Sequence, residues 1–267
     1  MSLSLKSELY SHIILIPWIS GYFLYDRRKS LSLNESSSPL PGTAIAVSGI
    51  ILYFVGIGQG AKLNPNDYLS LMIFSAVTLW IGGFIFSYGT RAFRVAAFPL
   101  LFLFFLTPVP SAIIDRFILV LQIVSTEVTH FFFGLTGVPV LREGFVFHLP
   151  GISIEVAKQC SGIRSSIALV ITSIIAGQLF LHTGWRRLLL ILAIFPITVF
   201  KNGLRISMLS LLGVYVDPRI LGSELHKSGG IPFFVVALMM LAPVLWALRR
   251  SERKGVGGRQ QDAGNRT

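Results

Sequence analysis

The stretch Leu188–Leu209 reads LLLILAIFPITVFKNGLRISML. Its apolar length matches the hydrocarbon core of a bilayer, which an α-helix crosses with about 20 residues. Comparable runs lie at about 9–25, 43–60, 68–90, 95–109, 162–182 and 231–248. The expected fold is therefore an all-α polytopic membrane protein with about seven to eight transmembrane helices. Composition points the same way: 53% of the 267 residues are hydrophobic and 13% charged, which excludes an ordinary soluble domain. The net charge is +11, but the basic residues form short clusters between apolar runs and make no basic face interleaved with stacking aromatics. Nucleic acid is not an expected partner, and the basic clusters read as membrane orientation.

Arg27, Arg28 and Lys29 follow the first run, Arg91 and Arg94 the third, Arg186 and Arg187 the fifth, and Arg249, Arg250, Arg253 and Lys254 the last. Cytoplasmic loops near helix ends are enriched in Lys and Arg. Every second boundary is basic, so those four segments are expected inside, the N-terminus outside and the C-terminal tail in the cytoplasm. The protein is thus expected to be multi-pass in the cytoplasmic (inner) membrane, with membrane lipids around it. The polar first turn with Lys6 and Glu8 leads into an ordinary uncleaved helix.

Segment 112–135 does not fit this alternation as a full span. Asp115, Gln122, Thr126 and Thr129 recur in it at helical spacing among apolar residues. It is expected as an external amphipathic helix in the outer interface, or as a re-entrant hairpin. Two β-prone runs then flank Pro150-Gly151 within Gly144–Val156, which reads as a short external β-hairpin packed over the mouth of the bundle. The chain divides on this reading into N-terminal helices (1–94), a catalytic membrane domain (95–250) and a disordered cytoplasmic tail (251–267).

The only cysteine, Cys160, precedes a long apolar run in Ala157-Lys158-Gln159-Cys160-Ser161-Gly162-Ile163-Arg164. With no second cysteine and no adjacent Cys/His pair, neither an intramolecular disulfide nor a structural zinc site is expected. The topology puts Cys160, Arg205 near the end of the next span, and His226 in the following loop on one membrane face. A thiol attacks as its thiolate, and a helix N-terminus with nearby cations such as Lys158 and Arg164 favours that form. His226 suits the general base and acid, and Arg205 suits a fixed donor to an oxyanion. An arginine inside an apolar helix is costly enough to mark a functional position.

Duller readings compete with these. A lone cysteine in an apolar protein is commonly inert packing. Arg164 and Lys201 read as snorkelling or supporting residues rather than catalysts. His12, His130, His148 and His182 read as interfacial or structural groups, with His148 the best substitute base.

An ordered set of motifs resembles the exosortase/archaeosortase family of membrane-embedded cysteine transpeptidases and proteases. It comprises Leu135-Thr136-Gly137-Val138-Pro139-Val140, Arg142-Glu143-Gly144, Cys160-Ser161-Gly162-Ile163-Arg164-Ser165, Trp185-Arg186-Arg187, Asn202-Gly203-Leu204-Arg205 and His226-Lys227-Ser228-Gly229. The resemblance runs from about Phe98 to Leu248. It implies Cys160 as nucleophile, Arg205 as essential arginine and His226 as histidine, with Arg164, Lys158, Asn202 and Ser161 binding substrate or supporting. The implied substrates are secreted proteins ending in a short motif, a transmembrane helix and a basic cluster, cleaved outside the membrane through a thioester and passed to water or an envelope acceptor. Where the family has an acidic residue before the cysteine, this chain has Lys158-Gln159, which points to an acidic motif in the substrate. No cofactor or metal is implied. The rival readings are a transporter or channel lined by Arg164, Lys201 and Arg205, and a noncatalytic subunit of an envelope polysaccharide system.

Overall fold

The computed structural model describes residues 13–30, 38–157, 162–217 and 230–264. It divides into two compact units, Met1–Asp115 and Arg116–Thr267.

In the first unit, helix α1 (Ile16–Asp26) is followed by α2 (Pro39–Gln59) and α3 (Pro65–Phe102). Asn64 starts α3 by accepting the Asp67 N–H on its side chain at 2.8 Å, which satisfies one of the donors that a helix start leaves unpaired. Helical geometry breaks at Gly89, whose φ of 82° belongs to glycine. There the run folds back on itself. Phe74 packs on Phe104 with ring centroids 5.0 Å apart. At the open end, Asn66 donates to the Val109 carbonyl at 2.9 Å and Asp67 accepts from the Ser111 N–H at 2.6 Å. Val77, Ile81 and Ile85 from one arm bury against Ala96 and Leu100 from the other. The two spans expected at 68–90 and 95–109 fall on these arms. Helix α2 lies so close to the first arm that a Cβ on Gly49 would stand 2.7 Å from the Leu79 nitrogen.

Helix α4 (Ser111–Thr136) carries the chain from the first unit into the second. A three-stranded antiparallel sheet follows, in the order β1 (Leu141–Glu143), β2 (Val146–Leu149) and β3 (Ile152–Glu155). The expected hairpin pairs Leu149 with Ile152 about the Pro150-Gly151 turn, and β1 adds a third strand in which Arg142 faces Phe147. Four helices complete the unit: α5 (Ile163–Phe180), α6 (Gly184–Leu192), α7 (Ile194–Tyr215) and α8 (Gly230–Gly264). One core joins Leu169, Leu190, Ile197 and Ala237 of these helices, and another joins Phe133 of α4 and Ile206 of α7 to Phe147 and Leu149 of the sheet.

The fold is a polytopic all-α membrane architecture with a small sheet. By length and composition, five helices among the described residues are apolar enough to cross a bilayer, fewer than the seven or eight expected. Two causes account for the difference. The run 65–106 counts as one helix although it folds back at Gly89, and the first and fifth expected spans are shorter apolar helices, Ile13–Asp26 and Ser165–Phe180.

The re-entrant alternative for 112–135 is corrected. The segment is one unbroken helix, not a re-entrant hairpin, and it is among the five. Its polar stripe also faces the opposite way from that of an interfacial helix. Gln122, Ser125, Thr126 and Thr129 are buried, while Phe117, Val120, Ile123, Phe131 and Leu135 are exposed. Thr126 and Thr129 donate to the carbonyls of Gln122 and Ser125, each at 2.7 Å, so they satisfy themselves inside the protein. A helix with polar groups inward and apolar groups outward suits lipid on its outer face.

Candidate active site

Of the site residues read from sequence, Lys158, Cys160, Ser161 and His226 lie outside the described residues. Arg164 stands in the first turn of α5. Asn202 and Arg205 lie on α7, the first fully buried and the second half-buried.

Gly162 stands against α7. It forms the N-cap of α5 with φ of 71°, the left-handed region in which a Cβ is strained. A Cβ added there would stand 3.0 Å from Asn202 Oδ1 and 3.4 Å from Lys201 Nζ. The turn that follows the cysteine in sequence therefore rests on the Lys201-Asn202 pair, one helical turn before Arg205.

This polar cluster is held from three helices. Asn202 Nδ2 donates to Ser125 Oγ of α4 at 3.1 Å, and both residues are fully buried. Asn202 Oδ1 is buried with no hydrogen-bond partner among the described residues. Lys201 Nζ donates to Ser165 Oγ of α5. Ser165 commits its own proton to the Gly162 carbonyl at 2.9 Å, which leaves its oxygen to accept from the ammonium. Helices α7 and α4 approach closely because Gly203 has no side chain: a Cβ there would stand 2.6 Å from Val128 Cγ1.

Lys201 is the residue that sequence reasoning undervalued. It does not snorkel, being only 3% exposed. A lysine in mid-run has two ways to satisfy its charge, reaching a headgroup or finding a protein acceptor, and hydropathy does not distinguish them. Its position one residue before Asn202 and four before Arg205 was the available signal.

The segment upstream of the cysteine is also tied down. Gln122 Nε2 of α4 donates to the Val156 carbonyl at 2.5 Å, and Val156 donates its N–H to the Phe145 carbonyl at 2.9 Å. Arg142 of β1 makes a two-pronged pair with Glu127 of α4, at 2.9 and 2.6 Å. The Glu127 carboxylate holds the Arg142 guanidinium above its ordinary pKa through that hydrogen-bonded pair. His148 Nδ1 lies 2.8 Å from Ser153 Oγ, and its Nε2 lies 3.6 Å from Glu143. His130 stacks on Phe147. Among the described residues no group of three His, Cys, Asp or Glu side chains is placed to hold a metal.

A membrane protein whose buried polar cluster joins three helices beside the Gly162 turn defines the class. The family model described as transmembrane exosortase matches residues 4–243, and the chain belongs to that family. No curated protein and no solved structure matches it. It is thus a membrane-embedded peptidase or transpeptidase of protein sorting, of the kind that acts on secreted proteins with C-terminal sorting signals.

Proposed function

We propose that the protein cleaves C-terminal sorting signals by thiol catalysis on the external face of the cytoplasmic membrane. The observation that carries this reading is the close approach of Gly162 to Asn202: the residue two places after Cys160 in sequence stands against the first residue of the Asn202-Gly203-Leu204-Arg205 motif.

In this reading the Cys160 thiolate attacks the scissile carbonyl carbon, and Arg205 stabilises the oxyanion of the tetrahedral intermediate. His226 takes the thiol proton and returns it to the leaving amine as the C–N bond breaks. The resulting thioester is resolved by water or by an amine-bearing acceptor, whose proton passes to His226 as the thiolate is released. Lys158, Ser161, Arg164 and Asn202 bind substrate or support these groups. The substrate is a secreted protein ending in a recognition motif, a membrane helix and a basic cluster.

The external side has support within the second unit alone. Glu252 of α8 accepts from the His182 and Thr183 N–H groups and lies 3.5 Å from Arg186. The basic ends of α6 and α8 therefore meet beside the C-terminal end of α5, and Gly162 is at the other end of that 18-residue helix. Such a helix is about 27 Å long, close to a bilayer core. Where the basic end is cytoplasmic, the Gly162 turn is external.

The test is processing of a reporter with a candidate sorting signal in membranes containing wild type or Cys160→Ala. Loss of cleavage with the variant still inserted is the expected result. Cleavage that survives the substitution removes thiol catalysis and favours the transport or assembly readings.

A further inference from the structure

We infer that the cavity between the ends of α5 and α8 binds the phosphate headgroup of an anionic phospholipid, with Arg249 and Arg253 as its ligands. It lies at the opposite end of α5 from Gly162, apart from the residues assigned to the sorting reaction.

The cavity has a volume of ≈ 350 Å³ and is lined by Leu179, Phe180, His182, Arg249, Glu252 and Arg253. That size falls within the range of small-molecule sites, about 300–1,000 Å³. Its depth is set by two apolar helices that stop there. Phe180 closes the run Ser165–Phe180, and Arg253 closes the run Pro232–Arg253. Leu179 and Phe180 are exposed, so the apolar wall of the cavity continues onto the outer surface of α5. A site that is apolar on its membrane side and cationic at its rim has the polarity of a phospholipid. The acyl chain lies along Leu179 and Phe180 while the phosphate meets the arginines, as in basic pockets between membrane helices.

The charges at this end are not all equally occupied. Arg186 donates to the Thr183 hydroxyl at 3.0 Å and the Ser251 carbonyl at 3.3 Å, and lies 3.5 Å from Glu252. Arg187 donates to the Leu181 carbonyl at 2.7 Å and to Gln178 Oε1 at 2.6 Å, closing the end of α5. Glu252, a carboxylate in the cavity wall, accepts from the Thr183 and His182 N–H groups and from the Thr183 hydroxyl. It is therefore already committed to α6. Arg249 and Arg253 stand one turn apart on α8, and neither has a carboxylate or carbonyl partner among the described residues. The Arg249 guanidinium lies over the Phe180 ring, 5.5 Å from its centroid. Stacking of this kind orients the guanidinium and leaves its N–H donors open. Two such forks on one cavity suit the oxygens of a phosphodiester.

The experiment titrates phosphatidylglycerol or phosphatidylcholine into the full-length protein in neutral micelles and counts bound lipid by native mass spectrometry. Wild type is expected to hold one phosphatidylglycerol in preference to phosphatidylcholine. Arg249→Gln or Arg253→Gln should each weaken that binding about fivefold, and both together about thirtyfold. Arg250→Gln, whose guanidinium stacks on Trp246 instead, should bind as wild type does. Equal affinity for the two lipids overturns the inference, and this comparison needs no variant to fold. So does wild-type binding in either single variant, or an equal loss in Arg250→Gln, which would mark a diffuse surface charge. Displacement of phosphatidylglycerol by millimolar inorganic phosphate also overturns it, because the site would then take a free anion.

Discussion

Glu252 of α8 caps the start of α6, accepting from the Thr183 N–H at 2.7 Å and the His182 N–H at 3.1 Å. The Thr183 hydroxyl also donates to it. A side chain nearly 70 positions away thus does the work that a local serine or aspartate does at most helix starts. Replacing Glu252 by Ala leaves those donors unpaired at a buried site, at a cost of about 2 kcal/mol. A lower melting temperature in micelles is expected, with Glu252→Gln losing less. An Ala variant that melts like wild type would sink the cap.

Gly162→Ala introduces a Cβ at a left-handed φ and against Asn202 Oδ1. Backbone strain alone is worth about 1–2 kcal/mol, and relief of it displaces Gly162 from its place against Asn202. Processing of a sorting reporter is expected to fall well beyond the loss of folded protein. Equal losses of activity and of membrane level would mean that the turn is structural only.

Gln122→Leu keeps the size of the side chain but removes the donor to the Val156 carbonyl. The unpaired carbonyl costs about 1–3 kcal/mol. The expected readout is faster proteolysis after Val156 together with reduced processing. Protection equal to wild type would place the ordering of this segment elsewhere.

A membrane-impermeant maleimide added to intact cells reports which side the single cysteine faces. Labelling of Cys160 from outside, and its absence in Cys160→Ala, is expected. Labelling only after the cells are opened would put the Gly162 turn on the cytoplasmic side and reverse the orientation inferred from Arg186 and Arg249.

The sequence reveals what depends on length and order, and hides what depends on direction. Apolar runs and the Pro150-Gly151 turn are read directly, because span length and turn chemistry are local properties. The motifs around Cys160 and Asn202 carried the family resemblance. Hydrophobic periodicity in 112–135 identified its polar stripe, but the stripe faces inward: Gln122, Ser125 and Thr129 find their partners in residues far along the chain or in their own backbone. The strand Leu141–Glu143 is too short and too charged to announce itself, and is held by pairing with β2 and by the Arg142–Glu127 pair. The burial of Lys201 depends on Ser165, an acceptor 36 positions away.

The fold-back at Gly89 bears on how the chain enters the bilayer. Its two arms are joined by one non-helical residue, and their outer ends are tied through Asn66, Asp67, Val109 and Ser111. Neither arm can then complete its polar contacts until the other has been synthesised and turned beside it. The natural unit of biogenesis here is the pair: the two arms reach their final contacts together, as one helical hairpin.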